Sequence, residues 1–173
     1  MTPLPKGIEN VSYWHLAEKN GMMLHNAFLA KGHVVSVSLV ARAPGLSQVT
    51  TSYAFGHRDA EKERLWEEVR SKDFPNLPSR MRCLYAFITK GDAERANKEW
   101  FNSNRAVLEL YLVDANTHIA DSKFLDANSE TWGNRALDYW LGDTTDDPRF
   151  EVLIHGRVFL PGWDREPFEM MKP

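Results

Sequence analysis

Residues 106–113 read AVLELYLV. In an extended chain, Leu108, Leu110 and Leu112 fall on one side and Glu109 and Tyr111 on the other, the period-two pattern of a strand with one apolar face. Upstream, residues 83–88 (CLYAFI) form another apolar run of strand composition. Asp92 then stands where it can cap a helix reaching Asn102, with Ala93, Ala96 and Trp100 along one side. Downstream, residues 150–160 (FEVLIHGRVFL) read as the last strong strand, interrupted near Gly156. Strands and helices share the chain, and the fold class is α+β.

Working outward, residues 1–10 carry two prolines and a glycine and read as an N-terminal arm before a first strand at residues 11–17, VSYWHLA. Residues 21–32 are ambiguous, and residues 33–40 (HVVSVSLV) alternate as a half-buried strand does. Residues 43–56 read as a loop or irregular hairpin. Asp59 can cap a helix over residues 60–71, whose apolar stripe is only Leu65, Trp66 and Val69; its charges read as a solvated face. FPNLP at residues 74–78 stops that helix, because each proline holds the residue before it extended. Ser129 is placed to cap a third helix with Trp132, Ala136, Leu137 and Trp140 in line, and Gly142 to end it. DTTDDP at residues 143–148 is an acidic loop, and the residues after 160 form a tail. No repeat or linker divides the chain, so residues 1–173 read as one domain.

Composition narrows the function classes. Hydrophobic residues are 43% and aromatics 12% of the chain, enough to fill one core. A formal charge of −3 gives no global field that would draw the protein to nucleic acid or anionic lipid. The single Cys83 rules out an internal disulfide and reads as a small core residue, which points to a reducing compartment. With no leader-like apolar stretch and no membrane-length run, the expected location is cytoplasmic, with no membrane partner. The histidines show no HExxH or similar spacing, His118 and Asp121 forming only an isolated HxxD, so no metal is expected. GxGxxG, GxxxxGK[ST] and GxSxG are all missing, which removes the dinucleotide-fold, P-loop and nucleophile-elbow readings.

Two residues carry most of the chemical interest. His15 sits beside aromatics on the first strand, where a satisfied core or edge histidine is also an ordinary finding. Glu151 heads EVLI, with Phe150, Val152 and Ile154 on one face and Glu151 and Leu153 on the other. A carboxylate there stands either at a solvated edge or in a cleft, and the pattern leaves both open.

Taken in order, three blocks resemble the ADP-ribosyltransferases of the histidine/tyrosine/glutamate class, which include diphtheria toxin, the poly-ADP-ribose polymerases and the DarT-like enzymes. The first is YWHLA, with Trp14, His15 and Leu16; the second is CLYAFITKGDAERANKEW, with Tyr85 and Trp100; the third is EVLIHG, led by Glu151. FPNLPSR, ending in Ser79 and Arg80, and YWLG ahead of EVLIHG resemble an uncharacterised bacterial branch of that superfamily. The resemblance implies an ADP-ribosyltransferase-like split-sheet core with flanking helices, with NAD as cofactor and substrate. His15 would bind a ribose hydroxyl, and the Leu16 backbone, where many members have glycine, would pair with the nicotinamide amide. Tyr85 and Trp100 would sandwich the nicotinamide, and Glu151 would be catalytic; Ser79 and Arg80 are counted with the cofactor-binding residues without an agreed role, a serine just before this strand positioning the glutamate in some relatives.

That chemistry needs a fixed carboxylate, because breaking the nicotinamide–ribose bond builds positive charge on the sugar, as glycoside cleavage does. The implied activity is mono-ADP-ribosyl transfer to a protein or nucleic acid, toxin-like, with an inhibitor or antitoxin as a possible partner. Arginine-modifying members carry an acid two residues before the catalytic glutamate; Arg149 stands there, which disfavours an arginine acceptor. The competing expectation is a non-catalytic module on the same fold that binds NAD, ADP-ribose or a nucleic-acid end.

Overall fold

The computed structural model describes residues 4–19, 21–45, 60–166 and 168. Asp59, residues 46–56 of the expected loop, residues 1–3 of the arm, and residues 167 and 169–173 of the tail lie outside them. The elements are β1 (Ser12–Glu18), α1 (Met22–Leu29), β2 (His33–Val35), α2 (Val37–Val40), α3 (Ala60–Asp73), β3 (Leu84–Ala86), α4 (Lys90–Phe101), β4 (Arg105–Asp121), α5 (Trp132–Leu141) and β5 (Phe150–Phe159). Short 3₁₀ turns occupy Ser122–Asp126 and Ser129–Thr131. The strands make a five-stranded antiparallel sheet in the order β1-β4-β5-β2, with β3 pairing β5, and helices flank it. No described helix is long and apolar enough to cross a membrane.

The chain divides into two compact units. Unit 1 comprises Met1–Val35, Tyr85–Ala115 and Gly156–Pro173; unit 2 comprises Ser36–Leu84 and Asn116–His155. β4 and β5 each contribute residues to both.

In unit 1, β1 pairs β4 from Ser12↔Tyr111 to Glu18↔Arg105. Its other edge exchanges two backbone bonds with Phe87, Trp14 N to Phe87 O at 2.9 Å and Phe87 N to Trp14 O at 2.7 Å. Leu108, Leu110 and Leu112 are buried, as the alternation of AVLELYLV requires. α4 lays Ala93 and Ala96 against Phe87, with Trp14, Leu16 and Val107 packed around them. Its cap is Thr89 rather than Asp92: Thr89 Oγ1 accepts from Asp92 N at 3.1 Å and donates to Asp92 Oδ2 at 2.6 Å, so Asp92 serves as the returning partner three residues on. The ambiguous stretch 21–32 forms α1, which buries Leu24 and Ala27 against β1 and β2.

Several expectations shift in register. Residues 33–40 do not stay extended: β2 ends at Val35, and Leu39 N to Ser36 O and Ala41 N to Val37 O begin a helical turn, with Ser36 in cap conformation. The strand expected at 83–88 keeps only Leu84–Ala86, because Arg82 N and Cys83 N both bond Ser79 O and hold residues 79–83 in a turn. β4 extends to Asp121, well past the apolar alternation, since backbone pairing continues where the side-chain pattern turns polar. Ser129 lies in a 3₁₀ turn, and the cap position of α5 is Thr131.

β5 is not interrupted at Gly156. The strand runs through it at φ +140°, and a Cβ there would stand 2.2 Å from Asp114 O and 2.5 Å from Ala115 Cα. Backbone crowds this position, so a methyl group has no flexible neighbour to displace. Gly156→Ala is therefore expected to cost about 1–3 kcal/mol, read as a lowered urea midpoint at unchanged m-value.

Candidate functional site

Unit 2 is organised around a guanidinium. Arg80 is 1% exposed and lies near the start of the turn that follows the proline segment. Its Nε and Nη2 donate to both oxygens of Glu63 on α3, at 3.0 and 3.1 Å. Its Nη1 donates to the Tyr139 hydroxyl of α5 at 2.7 Å and to Glu151 Oε1 at the start of β5. The Tyr139 hydroxyl in turn donates to Glu151 Oε1 at 2.6 Å, and Arg80 lies 5.3 Å over the Tyr139 ring. A buried arginine is tolerable only when its N–H groups are satisfied and its charge is met, and this arrangement does both.

Burial pushes the Tyr139 phenol well above its ordinary pKa of 10.0; Arg80 acts the other way and Glu151 adds to the rise. The phenol is therefore a neutral donor. His118, on β4, has its pKa lowered by burial, partly offset by its bond to Tyr139 O at 3.1 Å and by the Glu151 charge. It is neutral, with Nε2–H donating to that carbonyl, and its ring stacks on Trp140 at 5.4 Å.

Two further polar nodes hold the segments that carry this cluster. Ser79 Oγ donates to Glu67 Oε2 at 2.9 Å, Glu67 is forked by Arg70, and Arg70 Nη1 donates to Leu77 O at 3.0 Å, which fastens the proline turn to α3. Asp121 is fully buried and accepts from Lys123 N, Thr145 N, Thr145 Oγ1 and Arg149 N at 2.7–3.0 Å. Burial alone would raise its pKa, but these donors outweigh it and the carboxyl sits below the usual 3.8.

The sequence-derived residues thus fall into two sets. Glu151, Ser79 and Arg80 belong to unit 2, where Arg80 holds Glu151 directly while the Ser79 hydroxyl is given to Glu67. Of the β5 face expected to be apolar, Val152 and Ile154 are buried but Phe150 is 36% exposed; Leu153, on the Glu151 side, is fully buried. Glu151 is half-buried, so it stands neither at an open edge nor sealed in the core.

Trp14, His15, Leu16, Tyr85 and Trp100 belong to unit 1. The His15 ring meets Tyr85 O at 2.6 Å, which joins the first two blocks. A carbonyl only accepts, so Nδ1 carries the proton and Nε2 is left as an acceptor. Burial lowers the His15 pKa, with the Tyr85 bond acting upward and Arg105 downward, so the ring is neutral near pH 7. Strand alternation puts His15 on the face of β1 opposite Trp14 and Leu16, whose face carries α4. Trp100 is 50% exposed, its ring 6.1 Å from that of Phe87, and Lys90 Nζ lies 5.7 Å over the Trp14 ring. Cavities of about 350 Å³ beside Phe101 and Arg105 and about 400 Å³ beside Phe124 and Thr131 are lined by none of the expected residues.

A family model described as "Protein of unknown function (DUF2441)" matches residues 46–160. The chain belongs to this family. The span shared with the family model contains Glu63, Arg80, Tyr139 and Glu151, so the Arg80 cluster lies wholly within it, together with Tyr85 and Trp100; Trp14, His15 and Leu16 precede it. Among curated proteins, none matches the sequence.

Sequence reasoning missed Tyr139 and Glu63. The sequence pattern puts Leu137 on the apolar stripe of α5, but the buried residues are Ala136, Tyr139 and Trp140, and Leu137 is 38% exposed. Glu63 reads as one charge of a solvated face, yet it is buried beside Trp66, three residues on. The available signal was that spacing: Glu63 shares the helix face of Trp66 and Glu67, and Arg80 follows the turn that brings the chain back.

Tyr139→Phe should cost about 1–3 kcal/mol by leaving acceptor and donor sites on Glu151 and Arg80 unmet, measured by denaturant unfolding. Asp121 adds a pH-dependent contribution. Its folded pKa is depressed, so the stabilisation is present above the unfolded value near 3.8 and is lost as pH falls through the lower folded value. Urea midpoints of wild type and Asp121→Asn should differ most near neutral pH, and the difference should narrow as pH falls below the unfolded value.

Proposed function

We propose that the protein is an NAD-dependent mono-ADP-ribosyltransferase on an ADP-ribosyltransferase-like split sheet, in which Glu151 stabilises positive charge on the sugar as the nicotinamide–ribose bond breaks. The observation that carries this reading is Glu151 itself: a half-buried carboxylate anchored through Oε1 by Arg80 and Tyr139, with a guanidinium already forked by a second acid. A charge held in place before the reaction needs no reorganisation during it, which is what makes an electrostatic stabiliser effective.

In this reading neutral His15, with Nε2 left outside its Tyr85 bond, accepts from a ribose hydroxyl. NAD, when bound, supplies the activated glycosidic bond; the protein supplies orientation and the fixed charge. The Arg149 guanidinium, two residues before Glu151, is occupied by Ser122 and Asp126, so the position of the arginine-specific acid carries a cation. The acceptor in this reading is a protein side chain other than arginine, or a nucleic acid, within the cytoplasm. One observation favours a second reading, a module that binds NAD or ADP-ribose without turnover: the ion pair with Arg80 draws down the field Glu151 can offer.

Glu151→Gln separates the two. Gln keeps Oε1 as the acceptor for Arg80 and Tyr139, so fold and NAD affinity should change little. Nicotinamide release should fall by a factor on the order of 10² to 10³, because the lost charge acts mainly in the transition state. Glu109→Gln, on β4 and bonded by the Tyr111 hydroxyl at 3.1 Å, should keep most activity. Titration with NAD that shows binding to wild type without nicotinamide release would replace the transferase with the binding module. Trp100→Ala should weaken NAD binding by about 0.5–1.5 kcal/mol while leaving the melting temperature close to wild type, since half the ring is already exposed.

A further inference from the structure

The α4 face of the β1–β4 ladder, in unit 1, carries an acid that no described cation meets. Trp14 spends both its backbone N–H and its C=O on Phe87, so its pairing with Glu109 is of the non-hydrogen-bonded kind. Side chains of such a pair stand closest, with α-carbons roughly 4.5 Å apart. Tyr111 lies two residues along β4 on the same face, and its hydroxyl donates to Glu109 Oε1 at 3.1 Å. Burial first, then the bond and charge of Glu109, hold the phenol above its usual 10.0, so it is a neutral donor. Among the described residues the Glu109 carboxylate has this bond and no ion pair, and Oε2 takes no protein donor.

Helix α4 covers only part of this face. Ala93 and Ala96 pack with Phe87 over Trp14, Leu16 and Val107, while Glu109, Tyr111 and Val113 further along stay half-exposed. Val11 and Ile88, next in sequence to Ser12 and Phe87, are 42% and 39% exposed. The face already attracts one cation: Lys90 Nζ lies 5.7 Å over the Trp14 ring, although its charge is paired with Glu94 at 3.4 Å along the helix. Aromatic rings and a carboxylate on one surface favour a cation with an apolar stem, whose charge meets the acid while its methylenes lie against the rings. Neither described cavity is lined by these residues, and an open sheet face suits a side chain presented by a macromolecule better than an enclosed small molecule.

We propose that Trp14, Glu109 and Tyr111 form a recognition surface for a lysine or arginine side chain in a basic segment of a partner protein. Glu109 pairs the charge, the two rings flank the stem, and Val11 and Ile88 supply an apolar rim. The surface is independent of the chemistry read at Glu151 and stands whether or not the protein cleaves NAD.

The test is an NMR titration of the full chain at low salt with acetylated, amidated Gly-Lys-Gly and Gly-Arg-Gly. The Trp14 indole signal, assigned with Trp14→Phe, should shift saturably with both peptides and stay in place with Gly-Gln-Gly. Glu109→Gln should weaken the apparent affinity about fivefold, the worth of one exposed ion pair beside an aromatic ring. Glu99→Gln removes the same charge from the exposed side of α4 and should leave the affinity unchanged. Tyr111→Phe keeps both ring and carboxylate and should bind as wild type does. Equal losses in Glu109→Gln and Tyr111→Phe would make their bond a structural pair only and overturn the proposal. So would an unmoved indole signal in wild type, an unchanged affinity in folded Glu109→Gln, or a loss as large in Glu99→Gln, the mark of unspecific attraction. Putrescine that binds more tightly than either peptide would put a free diamine in place of the partner protein and overturn it as well.

Discussion

A guanidinium with almost no contact with water is the constraint on which unit 2 depends. Arg80 cannot shed its charge, so every N–H left unpaired in the interior would cost as much as several apolar contacts contribute. Glu63, Tyr139 and Glu151 answer from α3, α5 and β5, so one side chain fixes the separations of three elements adjacent to the turn that carries it. Apolar packing fills the space around the cluster: α3 lies against α5, the Trp140 indole donates to Trp66 O at 2.9 Å, and Trp66 and Trp140 are both fully buried. Hydrophobic contact is non-directional, and the polar cluster supplies the direction.

The same logic recurs in the connections. The proline turn is not held by its own backbone alone but by Arg70, which reaches Leu77 O while Glu67 fixes both Arg70 and Ser79. The acidic loop before β5 is held by Asp121, which collects backbone N–H groups from Thr145 and Arg149 and so fixes the chain just before β5 begins at Phe150, one residue ahead of Glu151. Unit 1 works differently. Its contacts are mainly apolar and backbone-to-backbone, and its buried polar side chain, Asn97, imitates a strand neighbour by exchanging two bonds with the backbone of Arg105. That pairing closes the left-handed turn at Asn102 and Ser103 and starts β4.

Glu151 is ordered by the same cluster. Arg80 and the neutral phenol of Tyr139 both donate to its Oε1, while Glu63 takes the other edge of the same guanidinium.

What the sequence determined by itself is what local periodicity encodes. The alternation of AVLELYLV specified β4, the CLYAFI and EVLI runs specified β3 and β5, and Ala93 with Ala96 specified the packed face of α4. Period two and period 3.6 report which side of an element is apolar, so strand and helix identities were legible, and so was the placing of Glu151 apart from the Val152 and Ile154 face. The role of Glu63 and the burial of Tyr139 were decided only in three dimensions, where Arg80 is 17 residues from Glu63, 59 from Tyr139 and 71 from Glu151. A charge on a helix reads as solvated until its partner is known, and a tyrosine reads as interchangeable with a neighbouring leucine until something meets its hydroxyl. Those partners come from distant segments, and no periodicity carries that information.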